Sequence, residues 1–330
     1  MTLTDSSLQP TQAINFQLDH PAPGNLDVQW IHGSISSKHN QDPDIQVHAY
    51  NEHTYILRQN MAVHAEAPFI YLLFGNDRAM LLDTGATEFA EFFPLRKTVD
   101  QLIEQWLSQH PRSVYPLVVA HTHLHLDHIE ADSQFFDRPH TEIVGLSLAE
   151  TQEFYGFTDW PQEIVEFDLG GRVLKVIATP GHEEAEVSIY DPYTQILVTG
   201  DIFYPGRLYV RDWEAFTESI DRLIGFAETY PITHVMGCHI EMTRTPGKDY
   251  KIRTTYQPDE PPLQMTVAQL KAVREAIDTI NARSGVHVFN DFIIYNGIPE
   301  GYFGDDLDGA LVSYLARNQE GYRRHKKSAQ

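Results

Sequence analysis

Residues 116–130 read PLVVAHTHLHLDHIE. The first five make an apolar, β-branched run the length of a buried strand, and a histidine-dense turn follows at once. In an extended segment the side chains at i and i+2 point to the same side, so His123 and His125 present two imidazoles together. Two imidazoles so placed can share one metal ion. Asp127 is next on that side and His128 follows in the turn. A carboxylate and an imidazole at adjacent positions diverge, which suits a second ion close to the first.

The same design recurs downstream: a short apolar strand delivering one polar ligand at its C-terminal end. RVLKVIATPGH (172–182) ends in His182, QILVTGD (195–201) in Asp201, and THVMGCH (233–239) in His239. Loops at strand ends are where a rigid scaffold places chemistry. The candidate set is therefore His123, His125, His128, His182 and His239 with Asp127 and Asp201. Imidazole and carboxylate without thiolate suit zinc, iron or manganese rather than copper(I) or an iron–sulfur cluster. Seven ligands exceed one tetrahedral ion and suit two ions bridged by a carboxylate and a hydroxide. Of the 17 histidines, the rest are expected to be structural or solvated. His121 is expected in the core or behind the ligands, and His234 in packing. Cys238 should point away from His239 in an extended segment and serve structure.

Composition sets the outer bounds. The chain has 330 residues with 24 Lys+Arg against 46 Asp+Glu, a formal charge of −22. So acidic a chain repels nucleic-acid phosphates and anionic membrane surfaces, which leaves a small molecule as the expected partner. Cys238 is the only cysteine, which excludes an intrachain disulfide and a multi-cysteine metal site. No basic and apolar leader opens the sequence, and no run of about 18 apolar residues occurs, so a cytoplasmic protein is expected.

Organisation follows from periodicity. Residues 1–44 are polar, broken by Pro21, Pro23 and Gly24, and read as an N-terminal extension. Strand patterns cover 45–58, 68–74 and 79–83, with GNDR (75–78) as a hairpin turn. Leu95, Val99, Leu102, Ile103, Trp106 and Leu107 mark one face of a helix over 94–109. Strands are expected at 116–120, 141–145, 172–178, 186–190, 195–199 and 233–236, with helices near 147–155 and 213–228. Residues 45–245 form the expected catalytic domain. The remainder, 246–330, is a C-terminal extension: a loop over 246–262, a helix at 266–282, a strand-like run at 286–295 and a basic tail, YRRHKK (322–327). It is expected to cap the site or to form a homodimer surface.

THLHLDH, TPGH, TGD and GCH, in that order and preceded by LLDTGA (81–86), resemble the metallo-β-lactamase fold superfamily. The resemblance covers roughly residues 45–245. It implies an α/β fold, the αββα sandwich, with the metals at one edge. It implies that His123, His125 and His182 hold a first ion, that Asp127, His128 and His239 hold a second, and that Asp201 bridges them. Asp83 would then support the metal turn without being a ligand. Two zinc ions per chain are expected, with iron or manganese as alternatives.

Within the superfamily, flavo-diiron proteins have Glu where this chain has His125, and the cysteine-ligand β-lactamases have Cys where it has Asp201. What remains resembles the glyoxalase II and lactonase branches, which GDIFYPGRLYVRDWEAFTESIDRL (200–223) also looks like. The implied function is a binuclear hydrolase that uses a bridging hydroxide on a small ester, thioester or lactone. Asp127 would orient the nucleophile and carry a proton to the leaving group. The alternatives are an oxygenase like the persulfide dioxygenases, with one iron held by two His and one Asp, and a phosphodiester or β-lactam hydrolase. TPGHEEAEVSIY departs from the glutathione thioesterases, placing Glu183 and Glu184 where they carry a small polar run. Glu184 is either an acceptor behind the ligands or a solvated carboxylate. Arg207, Arg211, Arg244 and Lys248 flank the last two motifs, as substrate clamps or as surface charges. Tyr204 and Tyr209 line the pocket, donate to an oxyanion, or pack.

Overall fold

In a strand, side chains alternate between faces, so a strand that is apolar at every position must be covered on both sides. Several strands here are of that kind. The computed structural model describes residues 13–297, so the basic tail at 322–327 and the outer parts of both extensions lie outside the described residues. The first sheet runs β1 (Ile45–Asn51), β2 (Thr54–Gln59), β3 (Phe69–Phe74), β4 (Ala79–Leu82), β5 (Leu117–Ala120) and β6 (Thr141–Ile143), in that spatial order. β1 to β4 pair antiparallel, then β4, β5 and β6 pair parallel. The crossover from β4 to β5 is α1 (Leu95–Gln109). The short α2 (Leu126–Ile129) follows β5, and α3 (Leu148–Tyr155) follows β6.

A second six-stranded sheet opens with β7 (Ile164–Asp168), β8 (Val173–Ala178), β9 (Val187–Asp191) and β10 (Ile196–Val198). β11 (Arg207–Val210) and α4 (Trp213–Thr229) then leave this sheet, and β12 (His234–Met236) returns beside β10, followed by β13 (Gln264–Met265) at the edge. α5 (Val267–Ile280) comes next, and β14 (Gly285–Val288) and β15 (Ile293–Asn296) complete a small sheet in the order β11, β15, β14.

Alternation makes the layers. Ile56, Tyr71, Leu73, Met80, Leu82, Val118 and Ala120 of the first sheet meet Leu174, Ile189, Ile196, Val198 and Met236 of the second in one apolar core. Their neighbours Leu57, Ile70, Leu72, Leu81, Leu117 and Val119 turn the other way, onto Val99, Leu102, Ile103 and Trp106 of α1. On the far face of the second sheet, Ile177, Tyr190, Leu197 and Val235 meet Phe216, Ile220 and Leu223 of α4 and Leu270 and Val273 of α5. The result is an αββα sandwich. Truncating one of these buried aliphatic side chains to Ala should cost about 2–5 kcal/mol. Arg172 ties the two sheets together: its buried guanidinium pairs with Asp191 and donates to the His53 and Phe74 carbonyls and to Thr54 Oγ1.

Two runs and three strands differ from the sequence reading. The run over 45–58 is a hairpin broken at Glu52–His53, and the run over 286–295 is the β14–β15 hairpin. β7, β11 and β13 have no counterpart in that reading. β7 is amphipathic and only half covered, and β11 and β13 are short and paired with distant segments, so local pattern carries little of them. Beyond residue 245, β13 extends the second sheet and α5 shares a core with α4. Among the described residues no helix is long and apolar enough to cross a membrane.

Candidate metal centre

Five strand ends converge at one edge of the sandwich. β4 delivers Asp83, β5 delivers His123 and His125, β8 delivers His182, β10 delivers Asp201 and β12 delivers His239. Asp127 lies on α2 and not on an extended segment, with His125 as the N-cap, so one helical turn swings Asp127 and His128 away from the first two imidazoles. The side chains form two groups. In His123, His125 and His182, His125 Nδ1 lies 3.0 Å from His123 Nε2 and 2.9 Å from His182 Nε2. In Asp127, His128, Asp201 and His239, His239 Nε2 lies 3.3 Å from both His128 Nε2 and Asp127 Oδ2. Asp201 reaches both groups, with Oδ2 3.8 Å from His182 Nε2 and Oδ1 3.5 Å from His239 Nε2.

Hydrogen bonds behind the rings fix which nitrogen is free. A carbonyl only accepts, so His182 Nδ1–H donates to the Tyr209 carbonyl at 2.8 Å and His239 Nδ1–H to that of Glu66 at 3.0 Å. In its neutral form each ring has its lone pair on Nε2, aimed into the cluster. Nitrogens bound to one zinc ion at about 2.0–2.1 Å would lie about 3.3 Å apart, close to the spacing found. Among the described residues, Asp201 Oδ1 and His125 Nε2 are buried with no hydrogen-bond partner. Facing ring nitrogens and an unpartnered buried carboxylate oxygen fit a pair of divalent cations.

Charge divides the two groups. Burial pushes His123 well below the usual imidazole range, brings His125 down to about 3 and lowers His182, and neighbouring imidazoles add to the effect in His123 and His125. These three are neutral donors. In the second group burial opposes ionisation, but the opposite charges outweigh it. His239 is raised to about 10 by Asp201 and Asp127, and His128 is raised well above its usual range by Asp127, Asp83 and Asp201. Asp201 falls to about 2 under His239 and His128. The second group thus holds carboxylates that require positive charge beside them.

Asp83 organises the turn. Its backbone adopts φ 69°, and its buried carboxylate accepts the Thr122 N–H at 2.7 Å, the Thr122 hydroxyl at 2.9 Å and His128 Nδ1–H at 2.9 Å. The Cys238 thiol donates to the same carboxylate at 3.3 Å, and burial and Asp83 keep the thiol protonated. His121 donates to Asp132 at 2.9 Å. Glu184 is exposed, while Glu183 turns back to the Ala185 N–H at 2.7 Å. The acceptor that matters in this segment is Glu186, absent from the sequence reading. It is fully buried and its Oε1 accepts the Asp201 N–H at 2.9 Å, so it holds the loop carrying Asp201. Gly200 makes that contact fit: it adopts φ 51°, and a Cβ there would lie 2.9 Å from Glu186 Oε1. An alternating EAEVSIY run marks a strand start, but only the fold brings Glu186 to Asp201.

A cavity of about 550 Å³ opens onto both groups, lined among others by His125, Asp127, Asp201, Tyr204, Tyr209 and Arg211. Tyr204 is buried and donates to the Arg207 carbonyl at 2.5 Å. Arg207 is buried too, paired with Glu241 at 2.6 Å and Asp249 at 2.7 Å. Arg244 and Lys248 lie outside this cavity, both exposed. A further histidine group, Glu52, His53 and His110, sits at the β1–β2 turn and the end of α1. Trp106 Nε1–H donates to His53 Nδ1 at 3.0 Å, and burial lowers His53 to about 4. Its neutral ring therefore carries the proton on Nε2, facing Glu52, and offers no lone pair to a metal.

Comparison with known proteins gives relatives over the metal-facing part of the chain. Over 162 residues the chain is 28% identical to a hydroxyacylglutathione hydrolase of Mesorhizobium japonicum, covering 48% of this chain and 60% of that one. Over 126 residues it is 30% identical to a hydroxyacylglutathione hydrolase of Idiomarina loihiensis, covering 37% of this chain and 47% of that one. The chain thus spans about half the length of these relatives. Among solved structures, a metallo-beta-lactamase from Pontibacter korlensis aligns with 71% of this chain and 99% of its own, at 16% identity and a TM-score of 0.46. The family model of the metallo-beta-lactamase superfamily matches residues 65–239, more than half of the chain, and the chain belongs to that superfamily.

Proposed function

We propose that the chain is a binuclear metal-dependent hydrolase acting on a small-molecule thioester, ester or lactone, with two zinc ions as its native metals. The observation that carries this is Asp201, which lies between the two donor groups: Oδ2 is 3.8 Å from His182 Nε2 and 3.6 Å from His128 Nε2, and Oδ1 is 3.5 Å from His239 Nε2 and buried without a hydrogen-bond partner. When bound, the ions would polarise the substrate carbonyl and lower the pKa of a water so that it is nucleophilic near neutral pH. His123, His125 and His182 would hold the first ion; Asp127, His128 and His239 would hold the second; Asp201 would bridge. The chain's own residues do the rest. Asp83 and Glu186 hold the ligand turns in place, which keeps the donor geometry preorganised. Asp127, on the cavity wall, is positioned to orient the attacking water and to carry its proton to the departing thiol or alcohol. The relatives named as hydroxyacylglutathione hydrolases support a thioester ahead of the other two.

The test is a panel of thioesters, esters and lactones assayed with the zinc-loaded protein, beside oxygen uptake with a persulfide and the iron-loaded protein. Thioester turnover that a chelator abolishes and zinc restores is the expected result. Oxygen uptake with iron, without hydrolysis of any panel member, contradicts it.

A further inference from the structure

The turn that carries His182 is seated on a part of the chain some 30–40 residues away. Where β8 ends, Thr179 N–H continues the ladder to the Glu186 carbonyl at 2.8 Å. The carbonyls around it accept from β11 and α4 instead. Pro180 takes the Ser219 hydroxyl at 2.6 Å, and Ala178 takes Arg222 Nη1–H at 3.0 Å. Gly181 takes the Arg211 N–H at 2.9 Å and the Asp212 N–H at 3.0 Å. The turn lies directly on the helix backbone: Gly181 adopts φ 145°, and a Cβ there would lie 2.5 Å from Phe216 Cα.

Ser219 is the side chain in this seat whose chemistry is out of the ordinary for its position. A hydroxyl in a helix commonly bonds back to the carbonyl four residues earlier, as Thr217 does to Trp213 at 2.8 Å. Ser219, fully buried in α4, reaches across to Pro180 instead. Arg222 Nη1–H points at Ser219 Oγ from 3.4 Å, so the oxygen accepts on one side and its hydrogen goes to Pro180 on the other. Proline has no N–H, so its carbonyl is the one backbone hydrogen-bonding group by which that residue can be anchored. Without the hydroxyl, that carbonyl loses its donor two residues before a ligand, next to a glycine that turns easily.

Resting on the binuclear reading, we propose that Ser219 is a positioning residue for the first ion: by holding the Pro180 carbonyl from behind, it fixes where His182 presents Nε2. Its effect falls on the group of His123, His125 and His182. The second group is supported from elsewhere, His128 by Asp83, His239 by the Glu66 carbonyl and the Asp201 N–H by Glu186, and none of these supports belongs to α4.

The experiment measures zinc affinity, by competition with a chromophoric chelator, in two backgrounds. His239→Ala disables the second group and reports the first; His182→Ala removes the ligand that Ser219 is proposed to position and reports the second. Adding Ser219→Ala should weaken zinc about tenfold in the His239→Ala background and by less than about twofold in the His182→Ala background. Ser219→Cys, of similar size with a weaker donor, should fall between Ser219 and Ala in the first background. Equal losses in both backgrounds, or no loss in the first, overturn the proposal. If Ser219→Ala does not fold, Ser219→Cys is read by the same comparison, and unchanged affinity in the first background overturns it. If the wild type takes up no zinc, the metal reading fails by itself. In that case, or if a background takes up none, nuclear magnetic resonance of the histidine-labelled protein decides, with the His182 ring assigned by His182→Ala. Exchange of His182 Nδ1–H with water about tenfold faster in the Ser219 variant supports the proposal, and unchanged exchange overturns it.

Discussion

The floor and the wall of the cavity are built in different ways. On the floor, the candidate ligands His123, His125, His182, Asp201 and His239 sit within a few residues of the strands that aim them, and Asp127 and His128 sit on the short α2 that follows β5, so local motifs both fold and place them. The wall is made by long-range contacts. Lys251, which lines the cavity, is positioned by a loop that rests on Gly33 and His32, and Arg58 pairs with Glu260 at 2.5 Å to anchor the far end of the same loop. The lesson is a separation of roles: the floor sets what chemistry is feasible, and the wall sets which molecule undergoes it.

Substitutions should respect that separation. Asp201→Ala removes the carboxylate shared by both donor groups, and kcat should fall by about 10³-fold or more with loss of bound metal, read by steady-state kinetics beside elemental analysis. Asp127→Ala should lower kcat by about 10²–10⁴-fold. Near-wild-type turnover in that variant would remove Asp127 from the proton-transfer role.

Behind the floor, Asp83→Ala and Glu186→Ala should weaken metal affinity about 10–100-fold in competition with a chelator. Glu186→Gln, which keeps an oxygen for the Asp201 N–H, should restore much of it. If Glu186→Ala binds metal as tightly as the wild type, the loop holding Asp201 does not depend on that acceptor. On the wall, Gly33→Ala should displace the Lys251 loop and raise KM severalfold with metal content intact, because the added Cβ meets a backbone oxygen that cannot turn aside. Loss of metal instead would mean that wall and floor are not separable. The smallest effect belongs to Arg244→Gln, on an exposed cation outside the cavity, which should change stability by no more than about 0.5 kcal/mol by thermal unfolding.

The same separation explains what was legible before the structure. His123, His125, His182, Asp201 and His239 could be read because each follows an apolar strand by a few residues. Helices α1 and α4 could be read because they show apolar faces at the helical period, while the αββα layering was implied by the resemblance of the ordered motifs to the metallo-β-lactamase fold. Lys251 could not be read: nothing local distinguishes KIR (251–253) from any solvated loop. Arg207 stands two residues from Tyr209 and looks as available as Arg211, yet Glu241 and Asp249 occupy it. Glu186 was hidden for the converse reason, since Glu183 and Glu184 beside His182 draw the eye while the buried partner of Asp201 lies a further turn along.

Metal content of the purified protein, measured by mass spectrometry without added metal or chelator, tests the central claim most directly. About two zinc ions per chain is the expected result. About one iron per chain with little zinc would contradict it, because Asp201 would then have no second ion to bridge.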